Sequence, residues 1–429
     1  MNTFTDYPGG VTVERSAASP TGYEAVFVYV EKESYTTKDG MQICTAEHPV
    51  QSVVLYSDCM MLFDGEGGTE GTISGKDALM PDQYRPGLYP AGGTPDTTYS
   101  AEMEKLGEGR WGVRVPLSSG AFVYNFRLTF EGIEEPLGRQ DDPSNPTMVN
   151  SATGIRSLSS MVYVPYDPEK TGHGAWADRS VEVPCPDTPK GTVETVSYTG
   201  ADGTQHGLAV YLPAGYDPER AEPYPVLYIS HGTSGDVYGD ELRWMNEGCV
   251  PVISDNLNAA GKAVPAVVVA MNNQQYSRGP GHQGPFWDYA LVEEDQLQYI
   301  MPYVEAHYHV SHKPEDMAYA GLSMGGYMTS DMLLYHADRF GYYGIWSYAD
   351  ANGLENAESR QRIADNTADI HVMLEAGKWD FGLEPVRAFG RGLDGLGVPH
   401  LDLVVPAGHD WENWQMVYAY AAENFFFKS

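Results

Sequence analysis

Basic residues are scarce in this chain: 26 Lys and Arg stand against 59 Asp and Glu in 429 residues, a formal net charge of −33. A surface of that sign repels phosphate backbones and anionic headgroups, which excludes nucleic acid and acidic membranes as ordinary partners. It suits a neutral carbohydrate or a neutral ester better than a polyanionic substrate. Cysteine is also scarce. Cys44, Cys59, Cys185 and Cys249 are far apart, with no CxxC pair and no metal spacing, so neither a disulfide framework nor a metal site is implied. Cys44 and Cys59 are the one pair that an exported N-terminal domain could join. No apolar run reaches membrane-spanning length, and the most apolar stretch, AVPAVVVAM, has the length of a strand. The opening residues, MNTFTDYPGGVTVERS, lack the basic end and apolar core of a leader. A chain that begins there is expected in the cytoplasm; one trimmed of a leader would be secreted.

What is present fits a globular protein of two or three domains, with 42% hydrophobic and 12% aromatic residues. The first half reads as all-β. YEAVFVYVE, QSVVLYS, GRWGVRVPL and AFVYNFRLTFEG are apolar or alternating runs separated by turn-rich segments such as FDGEGGTEGTISG. They predict an immunoglobulin-like sandwich with long decorations, in which DALMPDQYRPGLYP holds one helical turn. DDPSNPTMVNSATG reads as the exit from that domain, and TGHGAWADRSVEVPCPDTPKG as a linker. The expected domains are therefore 1–184 and 190–429.

From Gly191 the rhythm changes. TVETVSYTG and HGLAVYLPAGY read as antiparallel strands. PVLYISHG, AVVVAMNN, MAYAG, GYYGIWSYA, IHVMLEAG and HLDLVVPAG read as further strands. Helices are predicted in GCVPVISDNLNAAGK, VEEDQLQYIMPYVEAHY, MGGYMTSDMLLYHA, LEPVRAFGRGLDGLG and WENWQMVYAYAAENFF. In the second of these, Leu297, Ile300, Met301 and Val304 share a face. The alternation predicts a doubly wound, mostly parallel sheet, whose chemistry lies beyond the carboxyl ends of its strands.

The stretch AYAGLSMGGYM places Ser323 between a predicted strand and a predicted helix, with Gly321 and Gly325 on either side. The bare G-x-S-x-G pattern is weak in a chain with 47 glycines. Its position is what counts: a strand-to-helix elbow lifts a hydroxyl clear of the sheet, and a Cβ on either flank would clash there. A serine hydroxyl ionises too poorly to attack unaided and needs an imidazole base. His409 follows the last predicted strand, after Ser323 in the chain. Asp380, in EAGKWDFG, follows the preceding strand and is the expected carboxylate partner. Asp350 is the fallback; Glu375 is still inside its strand, and Asp410 is too close in sequence to support the ring of His409. The oxyanion donors expected are the backbone N–H groups of Met324, at the helix start, and Thr233, in HGTSGD, where His231 and Gly232 shape the loop. His307, His309 and His312 raise a metal reading but lack a completing carboxylate, so no metal and no cofactor is expected.

With those residues in place, the chain from 191 to 428 resembles the esterase D-like α/β-hydrolases, which include carbohydrate esterase family one. YPVLYISHGTSGD, the IMPYVEAHYHV helix leading to AYAGLSMGGYM, and PAGHDWENW carry the resemblance. It implies the same nucleophile, base and acid, Ser323, His409 and Asp380, with Thr233 and Met324 as oxyanion donors. GRWGVRVPLSSGAFVYNFRLTFEG followed by DDPSNP resembles the early-set immunoglobulin-like modules related to glycogen-binding domains, departing from them by the long glycine-rich insert at 63–98. Such pairs of domains occur in feruloyl and acetylxylan esterases of fibre-degrading bacteria and in enterobactin-type esterases.

The expectation is a serine esterase acting on hydroxycinnamoyl or acetyl esters of plant carbohydrates or related small molecules. Tyr327, Trp379, Trp411 and Asn272 are the candidate substrate contacts, followed by Trp414, Asn273, Gln274, Tyr238 and Trp287. A siderophore trilactone esterase and an inactive glycan-binding protein are the competing readings. A small-molecule or oligosaccharide ester is the expected partner, and a homo-oligomer is compatible with all three readings.

Overall fold

The computed structural model describes residues 4–37, 39–171, 179–233, 240–278 and 287–428. The second half is built on one eight-stranded sheet. Its strands are β1 (Thr192–Thr199), β2 (Gln205–Leu212), β3 (Val226–Ser230), β4 (Val267–Met271), β5 (Met317–Leu322), β6 (Tyr342–Trp346), β7 (His371–Gly377) and β8 (His400–Val405). They lie in the order β1-β2-β4-β3-β5-β6-β7-β8. The β1–β2 hairpin and the β2–β4 pair are antiparallel, and every later pair is parallel. Helices on both faces bury the central strands completely, so β3, β4, β5 and β6 read as unbroken apolar runs rather than alternating ones.

The helices are α1 (Val250–Ala259), α2 (Tyr289–Asp295), α3 (Met301–His307), α4 (Met324–His336), α5 (Ala357–Asn366), α6 (Leu383–Leu396) and α7 (Trp411–Asn424). The helix expected over VEEDQLQYIMPYVEAHY is interrupted by a π-helical stretch, Gln296–Ile300, between α2 and α3. Ile300, Met301 and Val304 still turn into the core. Helix α5 is not among those expected from the sequence. Its AESRQRIADN sequence offers Ile363 as its one large buried side chain, so no apolar periodicity announces it. What starts α5 is the side chain of Asn356, which accepts hydrogen bonds from the N–H groups of Glu358 and Ser359.

Among the described residues, the first half is all-β apart from short turns of helix. One sheet joins strands Gly10–Arg15, Tyr23–Val30, Arg110–Pro116 and Glu104–Gly107; a second joins Leu137–Gln140, Gly120–Phe130, Val50–Ser57 and Tyr99–Glu102. Their inner faces meet through aromatic pairs: Phe27 on Tyr124, with ring centroids 4.9 Å apart, and Tyr29 on Phe126, at 4.7 Å. The exit read at DDPSNP comes too early. Strand Ser160–Val164 still pairs with Gly120–Phe130, so the β region continues beyond it. The turn expected in DALMPDQYRPGLYP is the 3-10 segment Pro81–Gln83. All four cysteines are free, and Cys59 and Cys249 are buried.

The two halves share buried polar contacts. Arg179 lies between the carboxylates of Glu412, which its Nη1 touches, and Glu182, 2.5 Å from Nη2, and it also donates to Gln415 at 2.7 Å. Glu247, on the hydrolase side, accepts from the hydroxyl of Ser157 at 2.6 Å and from the N–H groups of Leu158 and Ser159. Among the described residues, no helix is long and apolar enough to cross a membrane.

Candidate active site

Strand β5 ends at Leu322 and α4 begins at Met324, so Ser323 is the whole turn. Its backbone has φ 54° and ψ −115°, a region that L-residues rarely occupy and that stores strain. The turn is held by Ser323 N–H donating to Trp346 O at 2.9 Å and by Tyr327 N–H donating back to Ser323 O at 3.0 Å. Both flanking glycines answer the steric need anticipated for them. A Cβ on Gly321 would fall 2.6 Å from the backbone of Gly325, and one on Gly325 would fall 2.5 Å from Ser230 O.

Two loops meet this hydroxyl. The one after β8 carries His409, whose Nε2 lies 3.0 Å from Ser323 Oγ. The one after β7 carries Asp380, whose Oδ1 lies 2.9 Å from His409 Nδ1. The Asp380 side chain is sealed from solvent, and the same oxygen accepts from Gly382 N–H at 2.6 Å. With a carboxylate at Nδ1, the imidazole is fixed as the Nδ1–H tautomer, which leaves the Nε2 lone pair facing the serine. The structure thus brings together Ser323, His409 and Asp380 from three strand ends on one edge of the sheet.

The loop after β3 completes that edge. A Cβ on Gly232 would lie 3.0 Å from Ser323 Cβ, so the backbone of this loop runs directly beside the hydroxyl. His231 shapes it, as expected. Its ring is buried, its Nε2 accepts from Asn273 N–H at 3.0 Å, and its Nδ1–H donates to Gly232 O. Burial lowers its pKa and keeps it neutral, in keeping with both bonds. Thr233, next in the chain, is exposed; Met324 opens α4 on the other side of Ser323.

The carboxylates set aside in the sequence have other work. Asp410 caps α7, accepting from Asn413 N–H at 3.1 Å. Its second oxygen accepts from Gly92 N–H in the N-terminal half. Burial, with the nearby charges of Asp58 and Asp380 adding to it, pushes its pKa up to about 7. Glu375 lies fully buried within β7, and burial together with the negative Asp380 raises its pKa well above the carboxylate range. Asp350 follows β6 and does not meet His409; it lies near Asp331 and Tyr327. His307, His309 and His312 face separate partners, Tyr303 O, Arg220 O and Glu305.

The candidate substrate contacts divide. Tyr327 is half-buried and stacks on Tyr289, with centroids 4.7 Å apart. Trp379 is buried against Phe63 of the N-terminal half. Trp411 is a core residue packed on Trp244 and Trp414, and so presents no face to a substrate. Trp414 is equally buried and donates to Ser347 Oγ. Asn272 is tied inward, donating to Glu241 Oε2 at 3.0 Å, and Asn273 donates to Ser230 Oγ. Gln274 opens a 3-10 turn, Trp287 is buried, and Tyr238 lies outside the described residues. The residue the sequence reading missed is Phe381. Its ring is 53% exposed, yet its centroid is 4.2 Å from that of His409. Tyr348 continues the row toward Tyr327 at spacings of 6.5 and 6.4 Å. The available signal was position: Phe381 adjoins Asp380.

The family model described as "Putative esterase" matches residues 200–419. An endo-1,4-beta-xylanase/feruloyl esterase of Xylanibacter ruminicola is 31% identical over 169 residues, 38% of this chain and 22% of that protein. Endo-1,4-beta-xylanase Y of Acetivibrio thermocellus is 25% identical over 278 residues, 57% of this chain and 24% of that protein. The matches thus span under a quarter of each curated relative. Among solved structures, the enterobactin esterase of Shigella flexneri superposes with a TM-score of 0.52 over 98% of this chain and 96% of that one at 14% identity, a likeness of fold across both halves. The family match covers more than half of the 429 residues and includes the strained serine and both facing loops, so the chain belongs to the esterase family, whose members are carboxylic ester hydrolases with the α/β-hydrolase fold.

Proposed function

We propose that this protein is a serine esterase that hydrolyses hydroxycinnamoyl or acetyl esters of neutral plant carbohydrates, or related small esters, through an acyl-enzyme. The observation that carries the reading is the relay from Ser323 Oγ to His409 Nε2 at 3.0 Å and from His409 Nδ1 to Asp380 Oδ1 at 2.9 Å. Ser323 attacks the ester carbonyl carbon while His409 takes the hydroxyl proton; Asp380 stabilises the imidazolium. The backbone N–H groups of Met324 and Thr233 hold the oxyanion. The intermediate collapses, and the alcohol leaves with the proton from His409. Water, deprotonated by the same imidazole, then releases the acid and restores Ser323.

The acyl group is read from the rings. Phe381, Tyr348 and Tyr327 form a row that begins at His409 and offers a planar cinnamoyl ring stacking partners. The xylanase/feruloyl esterase relative and the acidic surface support a neutral glycan as the alcohol. A trilactone of the enterobactin type carries an anionic chelate and calls for cations. Lys378, two residues before Asp380, instead directs its ammonium to the carbonyls of Gly65 and Gly67. We read the N-terminal half, 1–184, as an immunoglobulin-like module and 190–429 as the hydrolase domain.

The test is purified protein against an aryl acetate, methyl hydroxycinnamates, acetylated xylo-oligosaccharides and a catecholate trilactone, with Ser323→Ala alongside. Turnover of the cinnamates or acetylated glycans, lost in Ser323→Ala, supports the proposal. Preference for the trilactone would replace the substrate class. Binding without hydrolysis of any ester, or equal turnover by Ser323→Ala, would end it.

A further inference from the structure

Two of the three residues in the relay stand on loops that the N-terminal half grips. The turn Gly92–Gly93, inside the glycine-rich insert, lies flat against the His409 loop. Gly92 N–H donates to the Asp410 carboxylate, which also caps α7 through Asn413 N–H at 3.1 Å. Gly93 has φ +99°, and a Cβ there would overlap the carbonyl of His409 itself. The Asp380 loop is held in the same way. Lys378 Nζ donates to Gly65 O at 2.8 Å and Gly67 O at 2.9 Å, and Lys378 O accepts from Gly71 N–H at 2.8 Å. A Cβ on Gly68 would fall 2.8 Å from Trp379 Nε1. Ser323, by contrast, has both of its backbone hydrogen bonds within the hydrolase half, to Trp346 O and from Tyr327 N–H.

From this we infer that the insert at 63–98 is a positioning element for the base and the acid, with Gly93 and Asp410 as the positioning residues that set His409 against Ser323. Proton transfer is steep in distance: a displacement of about 1 Å can cost on the order of 100-fold in rate without altering ground-state binding. The N-terminal half thereby acts on turnover without touching the substrate.

The inference rests on the proposed role of Ser323 and His409, so the full-length wild type and Ser323→Ala are measured in the same series with an aryl acetate. The insert supplies a matched control. Gly87 has φ +94°, like Gly93, but a Cβ there meets nothing within 4 Å. Gly93→Ala should therefore lower kcat by about 10- to 100-fold relative to Gly87→Ala, with KM within about threefold and both variants folded. Asp410→Ser keeps a helix-capping oxygen but cannot reach Gly92, and should show the same split. A merely structural role would lower the melting temperature of Gly93→Ala more than that of Gly87→Ala, because only the former meets backbone, and would leave the kcat of the folded fraction unchanged. Equal kcat for Gly93→Ala and Gly87→Ala overturns the inference; if Gly93→Ala fails to fold, wild-type kcat in Asp410→Ser does so. If Ser323→Ala is as active as wild type, the esterase mechanism falls first, and that outcome is distinct from a silent Gly93→Ala in an enzyme that needs Ser323.

Discussion

The Nδ1 atom of His409 lies 2.9 Å from an oxygen of Asp380 that also accepts from Gly382 N–H. The carboxylate is thus aimed by its own loop before it meets the ring. Asp380→Asn should keep the fold but lose the charge that stabilises the imidazolium. The expected result is a fall in kcat of about 10³-fold or more, at nearly unchanged KM, in steady-state assays with an aryl acetate.

The elbow is sterically closed. Gly325→Ala would drive a methyl group to 2.5 Å of Ser230 O and 2.8 Å of His231 O, both backbone atoms that cannot swing away. Destabilisation of about 1–3 kcal/mol is expected from the overpacking, read as a lower denaturation midpoint. Activity should fall with it, because the loop after β3 and the start of α4 carry the proposed oxyanion donors.

Phe381 is a large apolar ring left 53% exposed beside an imidazole. If it holds the acyl ring, Phe381→Ala should lower kcat/KM for a methyl hydroxycinnamate by about 2- to 10-fold more than for an aryl acetate. An equal loss on both esters would show that it supports His409 rather than the acyl group.

Stability should decline toward alkaline pH. Burial first, and then the charges of Asp350 and Glu293, push the pKa of Asp331 from 3.8 up to about 8. Between those values the folded chain holds a proton that the unfolded chain has released, so stability falls as pH rises through this window and levels off above it. Asp410, pushed up to about 7, acts in the same direction. The melting temperature should therefore be higher near pH 5.5 than near pH 8.5. Asp331→Asn, which keeps the shape without the charge, should remove part of that difference and stabilise the protein at pH 8.5 by about 1 kcal/mol or more.

Much of the hydrolase half was legible in the chain. Strands buried on both faces leave long apolar runs, and the G-x-S-x-G sits where such a run gives way to a helix. His409 and Asp380 followed from the same logic, since each comes just after a strand that ends at the same edge. The helix α5 was not legible because its stability comes from a cap and a single buried isoleucine. Trp411, expected as a substrate contact, lies in the core instead, because an aromatic residue after a strand end looks the same in sequence whether it faces solvent or sits on the packed face of α7.

The sequence by itself determined the alternation of strands and helices, the strained serine turn and the strand ends on which its partners stand, because periodicity and glycine placement are local properties of the chain. Only the tertiary structure decided that Trp379 is buried, that Phe381 is bare, and that the insert at 63–98 rests on the loops of His409 and Asp380. Those outcomes depend on contacts between residues some 300 positions apart, such as Gly92 with Asp410, 318 residues on, and no local pattern records which distant surface a side chain will meet.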